Sequence, residues 1–287
     1  MKIVRYEAKS GAKLGAVTGE GIVELTRRFP SLSDNTIGLI TQWPHLRGDA
    51  EKIVAQSAPD AALTEVHVLA PVARPGKVMA IGLNYADHIK ESGQETPHHQ
   101  VWFTKAVTAI NGPYDPIELP IASTYVDYEA ELVVIIGQRC KHVQKDRAAE
   151  VIFGYCAGND VSVRDWQLST PQWVLGKSFD THAPIGPWIV TADELENPHT
   201  MGIRCFVNDE RRQHSNTEHL VFNVYDQIAH LSQAMTLEPG DLIFTGTPGG
   251  VGGAMQPPKF LKSGDKVRVE IDRIGAIEAA MRPERAS

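Results

Sequence analysis

Cysteine is scarce in this sequence and follows no recognisable framework. The 287 residues include three cysteines, Cys140, Cys156 and Cys205, and no Cys-x-x-Cys pair occurs. An odd number of widely spaced cysteines argues against a disulfide scaffold. We therefore expect reduced, buried thiols that pack as small apolar side chains in a cytoplasmic protein.

Long apolar segments and an excess of basic residues are also missing. The longest apolar runs are about six residues, and the alternating N-terminus (MKIVRY) has no signal-peptide core. A membrane span needs roughly 20 apolar residues. The formal net charge of −7 and the pI near 5.9 argue against nonspecific binding to nucleic acid or to an anionic membrane. We predict a cytoplasmic protein with neither of these partners.

A nucleotide-binding signature is absent, although residues 246–253 form a glycine-rich run (GTPGGVGG). No Lys-Ser or Lys-Thr pair and no expected helix follow the glycines, which excludes a P-loop. The glycine spacing does not fit a dinucleotide-binding fold either. Close approach of this backbone to a small anion, with Thr247 as a hydroxyl donor, stays open.

Strand patterns with frequent Gly and Pro turns dominate what is present. The N-terminal region has three short alternating strand patterns, followed by helical spacing of apolar residues over 34–43 and 49–57. Two prolines and a glycine within residues 71–76 then indicate a stiff link. The sequence therefore predicts an α+β protein with a small N-terminal domain at 1–68 and a catalytic domain at 69–287.

The stretch 127–137 (DYEAELVVIIG) places two carboxylates at the start of a buried strand. Side chains alternate across a strand, so Glu129 and Glu131 point to the same side. An arbitrary Glu-x-Glu is more often a solvated strand edge. Here the pair runs directly into five apolar residues, which places the carboxylates at the rim of a core. A hard divalent cation is the natural partner for such a pair.

Two other regions carry polar residues in suggestive patterns. His88 and Glu91 are three residues apart, so on a helix they are neighbours and form a candidate base with its orienting carboxylate. A casual contact on a surface helix explains this pair equally well. Arg164 and Gln167 follow a strand, and Lys177 lies between a glycine and apolar residues that can desolvate it.

Five motifs together resemble the fumarylacetoacetate hydrolase family, and they occur in that family's order over roughly residues 70–280. The resemblance implies a mixed β-roll catalytic core, usually dimeric, with one Mg²⁺ or Mn²⁺ ion per subunit, behind a small N-terminal domain. The motifs are IGLNYADH (81–88), DYEAEL (127–132), NDVSVRDWQ (159–167), GKSFD (176–180) and PGD (239–241) with TGTP (245–248).

The same resemblance implies a role for individual residues. The metal ligands are expected to be Glu129, Glu131 and Asp160. The catalytic residues are expected to be His88, Glu91 and Lys177. The expected substrate contacts are Arg164, Gln167, Lys177, Thr247, Tyr85 and Lys105.

The expected activity is hydrolysis of the C3–C4 bond of a 2,4-dioxo acid, such as an acylpyruvate, to pyruvate and a carboxylic acid. In this hypothesis His88 activates a water that attacks C4, while the metal and Lys177 stabilise the pyruvate enolate. The alternatives are decarboxylation of oxaloacetate, or isomerisation or hydration of a 2-oxo acid through the same enolate. A non-catalytic binding protein on this fold is a further alternative.

The distal end of the substrate is set by segments that the motifs do not specify. Residues 92–100 are polar and irregular, which is typical of a mobile flap, and residues 249–260 form a long loop. We expect these two segments to contact whatever follows C4.

Overall fold

The structure, a computed structural model, describes residues 1–19, 21–32, 34–91, 93, 95–195 and 197–285. In this part of the chain strands outnumber helices, and no helix is long and apolar enough to cross a membrane. The predicted α+β class is confirmed. The α-helices are α1 (Thr36–Gln56), α2 (Ala86–Glu91), α3 (Arg164–Leu168) and α4 (Val224–Ala234).

The strands form one large mixed sheet, a smaller mixed sheet and a short pair. In chain order they are β1 (Lys2–Ala8), β2 (Gly11–Thr18), β3 (Gly21–Glu24), β4 (Ala61–Ala62), β5 (His67–Leu69), β6 (Val78–Gly82), β7 (Val101–Thr104), β8 (Ile110–Asn111), β9 (Ile117–Leu119), β10 (Val126–Asp127), β11 (Ala130–Ile136), β12 (Ile152–Asn159), β13 (Ser162–Val163), β14 (Ala183–Thr191), β15 (Gly202–Val207), β16 (Glu210–Asn216), β17 (Leu242–Phe244), β18 (Lys266–Ile271) and β19 (Gly275–Pro283).

The large sheet runs in the order β4-β3-β2-β1-β14-β12-β11-β17-β6-β7, with β5 paired to β1 and β8 paired to β14. The smaller sheet runs β16-β15-β18-β19-β9, and β10 pairs with β13. Most pairs are antiparallel, but β17 and β6 are parallel. Strand β11, which carries Glu131 and directly follows Glu129, therefore lies between β12 and β17 inside the large sheet.

Strand β11 is buried along its whole length and divides its side chains between two cores. The even-numbered side chains from Ala130 to Ile136 pack in one core with residues of the smaller sheet and α4. Glu131 is odd-numbered and points to the other side of the strand. Val133 and Ile135 pack in the other core, with α1 and the N-terminal strands. This alternation follows from strand geometry and explains why the segment has no polar residue after Glu131.

The N-terminal strands extend the large sheet. β1 pairs with β14, with Lys2 opposite Val190. The predicted domain boundary after residue 68 falls in β5, which pairs with β1. The division into a small N-terminal domain and a catalytic domain stays a prediction.

The two segments with helical spacing, 34–43 and 49–57, belong to one helix, because α1 runs through both and through the residues between them. Asn35 caps the helix by accepting backbone N–H bonds, and the helix continues through Pro44. Pro44 has no N–H to donate to the carbonyl of Ile40. Buried apolar residues on both sides of the proline hold the two halves in one helix.

Asn84 joins three segments close to the site. Its side chain is buried, donates to the carbonyl oxygens of Phe222 (3.0 Å) and Thr245 (2.7 Å), and accepts from the N–H of Phe222 (2.8 Å). Asn84→Ala removes these three hydrogen bonds and leaves the Phe222 N–H without its side-chain acceptor, while Gln227 Nε2 still donates to the carbonyl oxygens of Phe222 (2.9 Å) and Thr245 (3.4 Å). We expect the free energy of unfolding, measured by urea titration, to fall by roughly 2–4 kcal/mol.

Asn216→Ala is the matched control, because this half-buried side chain accepts one hydrogen bond, from the N–H of Glu218 (3.0 Å). We expect it to cost about 1 kcal/mol. Equal losses in the two variants would contradict the role assigned to Asn84.

Candidate active site

Two antiparallel strands bring three carboxylates together. Ala130 of β11 lies opposite Asn159 of β12, so Glu129, just before β11, meets Asp160, just after β12. The N–H of Asp160 donates to the carbonyl of Glu129 (2.9 Å). Carboxylate oxygens of Glu129, Glu131 and Asp160 lie within 4.8 Å of one another, and all three residues are buried. The structure thus groups the predicted metal ligands.

Three cations surround this carboxylate triad. Lys177 Nζ donates to Glu129 Oε2 and to Asp160 Oδ2, both at 2.7 Å, and Lys105 Nζ donates to Asp160 Oδ1 at 2.5 Å. Arg164 Nη1 donates to Glu129 Oε1 at 2.7 Å. Burial opposes ionisation of Glu129, but Lys177 and Arg164 outweigh it and lower the pKa of Glu129 to about 2. Glu129 is therefore charged at neutral pH, as a metal ligand has to be.

Glu131 differs from its two neighbours because it has no ion pair among the described residues. Its Oε2 accepts the N–H of Gly246 at 2.7 Å. Burial and the charges of Asp160 and Glu129 raise the pKa of Glu131 well above its usual range. A divalent cation between the three carboxylates would remove this repulsion, and carboxylate oxygens are the ligands that Mg²⁺ and Mn²⁺ prefer. The donor set fits such an ion.

Asp127 organises the region beside the triad, although the motifs assign no separate role to it. Its buried carboxylate accepts from Arg164 Nε (2.8 Å) and from the backbone N–H groups of Gly252 (2.8 Å) and Gly253 (2.9 Å). It therefore ties α3 to the glycine-rich loop. Its position just before the acidic pair is the only signal that the sequence offered.

The glycine-rich loop binds carboxylates of the protein itself. Besides the two N–H groups held by Asp127, the N–H of Gly250 donates to both oxygens of Glu91, at 3.1 and 2.9 Å. Gly250 has φ +99°, a conformation that favours glycine. The expectation that this backbone binds the carboxylate of a small ligand is corrected for these three N–H groups, because they already have partners.

The helix α2 carries the predicted base. His88 Nδ1 lies 3.5 Å from Glu91 Oε2, which is long for a hydrogen bond. Burial raises the pKa of Glu91, but the neighbouring His88 imidazole and the hydrogen bond from the Gly250 N–H outweigh it and lower that pKa overall. Glu91 is thus shared between the imidazole and the glycine-rich loop. In the flap predicted at 92–100, Ser92 and Gln94 lie outside the described residues.

A cavity of about 610 Å³ opens above the triad. Its volume lies within the roughly 300–1,000 Å³ of typical small-molecule sites. Most of the predicted site residues line it, namely His88, Glu91, Glu129, Glu131, Arg164, Gln167, Lys177 and Thr247.

Tyr85 and Lys105 were predicted to contact the substrate, which would require them to line this cavity, but neither is among its lining residues. The Lys105 side chain is fully buried against Asp160 and the carbonyl of Val161. Burial lowers the pKa of Lys105, and the charge of Asp160 opposes that effect. Tyr85 is also fully buried, with its phenol among the described groups that lack a hydrogen-bond partner. The structure gives Lys105 the role of neutralising Asp160.

Gln213, which the sequence did not single out, fixes the hydrogen-bonding role of Thr247. Its Oε1 accepts the N–H of Ala130 (2.9 Å), so its Nε2 must donate, and it does so to Thr247 Oγ1 and to the carbonyl of Pro248, both at 2.8 Å. The Thr247 hydroxyl proton is then directed elsewhere. Gln167 is fixed similarly, because its Oε1 accepts from Arg164 Nη1 (2.9 Å). Both residues can therefore offer donors to the cavity.

Fold and site define a protein with a buried carboxylate triad that fits a divalent cation, beside a cavity of small-molecule size, and comparison with known sequences gives the family. The profile described as "Fumarylacetoacetate (FAA) hydrolase C-terminal" matches residues 77–282. The chain belongs to the fumarylacetoacetate hydrolase family, whose members are enzymes.

Named relatives differ in the reaction that their names state. The mitochondrial oxaloacetate tautomerase FAHD2B of Bos taurus is 42% identical over 283 residues, covering 96% of this chain and 90% of that protein. The structure of maleylpyruvate hydrolase from Sphingobium sp. SYK-6 with manganese(II) and pyruvate is 33% identical, with a TM-score of 0.83 and 99% and 100% of the two chains covered. The 2-hydroxyhepta-2,4-diene-1,7-dioate isomerase of Mycobacterium marinum is 31% identical, with a TM-score of 0.76 and both chains fully covered.

Replacement of Glu131 tests the metal site. Glu131→Gln keeps the shape of the side chain but removes the ligand charge. Loss of a residue that only orients a metal ligand typically weakens metal binding by roughly 10- to 100-fold. Glu131 is expected to be a ligand itself, so we expect Mn²⁺ binding, measured by isothermal titration calorimetry, to weaken by more than this. Glu278→Gln on the exposed face of β19 is the control. Unchanged Mn²⁺ affinity in Glu131→Gln would remove this residue from the ligand set.

Proposed function

We propose that this protein is a 2-oxo acid isomerase of the tautomerase type, which moves a proton between C3 and the 2-oxygen of its substrate. The observation that carries the proposal is the position of His88. It is the one imidazole among the described cavity-lining residues, and it faces Glu91 without joining the hydrogen bonds between the carboxylate triad and its cations. A keto–enol transfer needs one group that takes and returns a proton, whereas hydrolysis also needs an attacking water. The 42% identity to an oxaloacetate tautomerase supports the same reaction class.

His88 is the proton-transfer residue in this proposal. Its Nδ1 faces Glu91, which leaves Nε2 for the substrate. During enolisation Nε2 takes a proton from C3, the electron pair of that C–H bond forms the C2–C3 double bond, and the π pair of the C2 carbonyl moves to the 2-oxygen. That oxygen takes up a proton from water, and His88 gives its proton to the hydroxide left behind. Ketonisation is the reverse, and His88 then returns the proton to C3. Glu91 orients the ring and stabilises its charged form.

The rest of the site binds and polarises the 2-oxo acid group. Glu129, Glu131 and Asp160 would hold the Mg²⁺ or Mn²⁺ ion, and the bound ion would draw electrons from the 2-oxo group and so acidify C3. Lys177 adds positive charge beside the developing enolate oxygen. The Thr247 hydroxyl and the Gln167 amide, both fixed as donors, hydrogen-bond the substrate carboxylate.

Hydrolysis of an acylpyruvate is the second candidate, and the similarity to maleylpyruvate hydrolase favours it. In that reaction His88 would take a proton from a water that attacks C4. The C3–C4 bond would then break, so that pyruvate leaves as its enolate and the acyl part as a carboxylic acid.

Assays on two substrates separate these candidates. Enolisation of oxaloacetate is followed by ¹H NMR as exchange of the C3 protons in D₂O, with the uncatalysed rate subtracted, and hydrolysis is followed as acetate and pyruvate formed from acetylpyruvate. We expect C3 exchange with the higher kcat/KM. Faster cleavage of acetylpyruvate would overturn the proposal in favour of the hydrolase, and release of CO₂ from oxaloacetate at the rate of exchange would favour a decarboxylase.

His88→Gln tests the proton-transfer residue. Loss of a positioned acid–base group typically costs about 10²- to 10⁴-fold in rate. We expect C3 exchange to fall by this factor while the Mn²⁺ affinity stays unchanged, since His88 is not a ligand. His45→Gln, at an exposed position of α1, is the matched control and should keep full activity. Normal exchange by His88→Gln would move the base elsewhere.

A further inference from the structure

Much of the cavity lining beyond the polar site residues is apolar. Tyr125, Leu168, Val251, Ala254 and Phe260 contribute to it and are called the apolar wall below. The rings of Tyr125 and Phe260 pack against each other, with 5.0 Å between centroids and an interplanar angle of 63°. Such a wall favours an apolar ligand group, because contact removes apolar surface from water.

The apolar wall comes from three chain segments that Asp127 holds together. Tyr125 lies two residues before Asp127, and its carbonyl accepts the N–H of Arg164 (2.9 Å), the first residue of the helix that ends at Leu168. Asp127 itself binds Arg164 and the loop backbone at Gly252 and Gly253. The wall is therefore fixed by buried ionic contacts and presents a defined surface to the ligand.

Charges around the cavity disfavour a second carboxylate on the substrate. The cationic side chains among the described lining residues, apart from the imidazole, are Arg164 and Lys177, and both already pair with carboxylates. Asp165 also lines the cavity, and its Oδ1 accepts from Ser123 Oγ (2.7 Å). No salt bridge of Asp165 occurs among the described residues. A second carboxylate would meet this negative charge without a free cation to offset it.

From these observations we infer that the preferred substrate is a 2-oxo acid with one carboxylate and an aromatic or branched alkyl group on C3. The inference rests on the proposed function and adds the substrate class. The 2-oxo acid end binds at the carboxylate triad, and the C3 substituent contacts the apolar wall. Oxaloacetate carries a carboxylate on C3, where the inferred substrates carry an apolar group. The protein therefore discriminates against oxaloacetate.

Phenylpyruvate and oxaloacetate form a matched pair of probes, because they differ only in the group on C3. Exchange of the C3 protons in D₂O, measured by ¹H NMR on Mn²⁺-loaded protein, reports enolisation of both. We expect kcat/KM for phenylpyruvate to exceed that for oxaloacetate by roughly tenfold or more, the discrimination typical of an apolar pocket.

Charge changes at Leu168 test whether the apolar wall causes the preference. Leu168 is 72% exposed, so the fold tolerates a charged residue there. Leu168→Arg should raise kcat/KM for oxaloacetate by roughly fivefold, as an exposed ion pair does, and lower it for phenylpyruvate. Leu168→Glu should lower kcat/KM for oxaloacetate instead. Leu175→Arg is the control, because Leu175 is 64% exposed and is not part of the cavity lining.

The outcomes separate this inference from the proposed function. Exchange with a preference for oxaloacetate in the unmodified protein would overturn the substrate class and leave the isomerase proposal standing. If Leu168→Arg and Leu168→Glu changed kcat/KM for oxaloacetate equally, the role of the apolar wall would be overturned. The same holds if Leu175→Arg changed it as much as Leu168→Arg does. Absence of C3 exchange with either acid would overturn both proposals.

Discussion

Repulsion between buried carboxylates is the constraint on which the rest of this site depends. Carboxylate oxygens of Glu129, Glu131 and Asp160 lie within 4.8 Å of one another, and all three residues are buried. Buried charges are costly unless each is paired. Lys105 and Lys177 meet this requirement for Asp160. Lys105 lies 55 residues before Asp160 in the sequence, and Lys177 lies 17 residues after it. Among the described residues no lysine or arginine forms an ion pair with Glu131, so this carboxylate is the one that would gain most from a metal ion.

Strand alternation and strand burial could be predicted from the sequence because both depend on local geometry. The pattern at 127–137 placed Glu129 and Glu131 on the same side of a buried strand, and the structure has that arrangement. Asp160 followed only from the family resemblance, since no spacing rule links it to β11. Helix continuity through Pro44 was missed, because packing on both sides of the proline outweighs a local signal.

The contacts that could not be predicted join residues far apart in the chain. Asp127 reaches backbone N–H groups of the glycine-rich loop, and Gln213 reaches Thr247, and neither pairing leaves a pattern in the sequence. The positions of the two site lysines, Lys105 and Lys177, could not be predicted either. Nothing in the sequence shows that Lys177 reaches the cavity while Lys105 lies behind Asp160. The sequence is informative about which residue types are available, and three-dimensional packing decides which of them face the ligand.

The contact between Glu91 and Gly250 links the mobility of the base to that of the loop. Any displacement of α2 away from the cavity has to break the two hydrogen bonds from the Gly250 N–H as well as the approach of Glu91 to His88. Stronger hydrogen bonds between Glu91 and Gly250 would hold His88 in place more firmly but would slow the release and binding of ligand, and weaker ones would do the opposite. Residence time and chemical rate are therefore not independent in this protein, and one carboxylate sets the compromise between them.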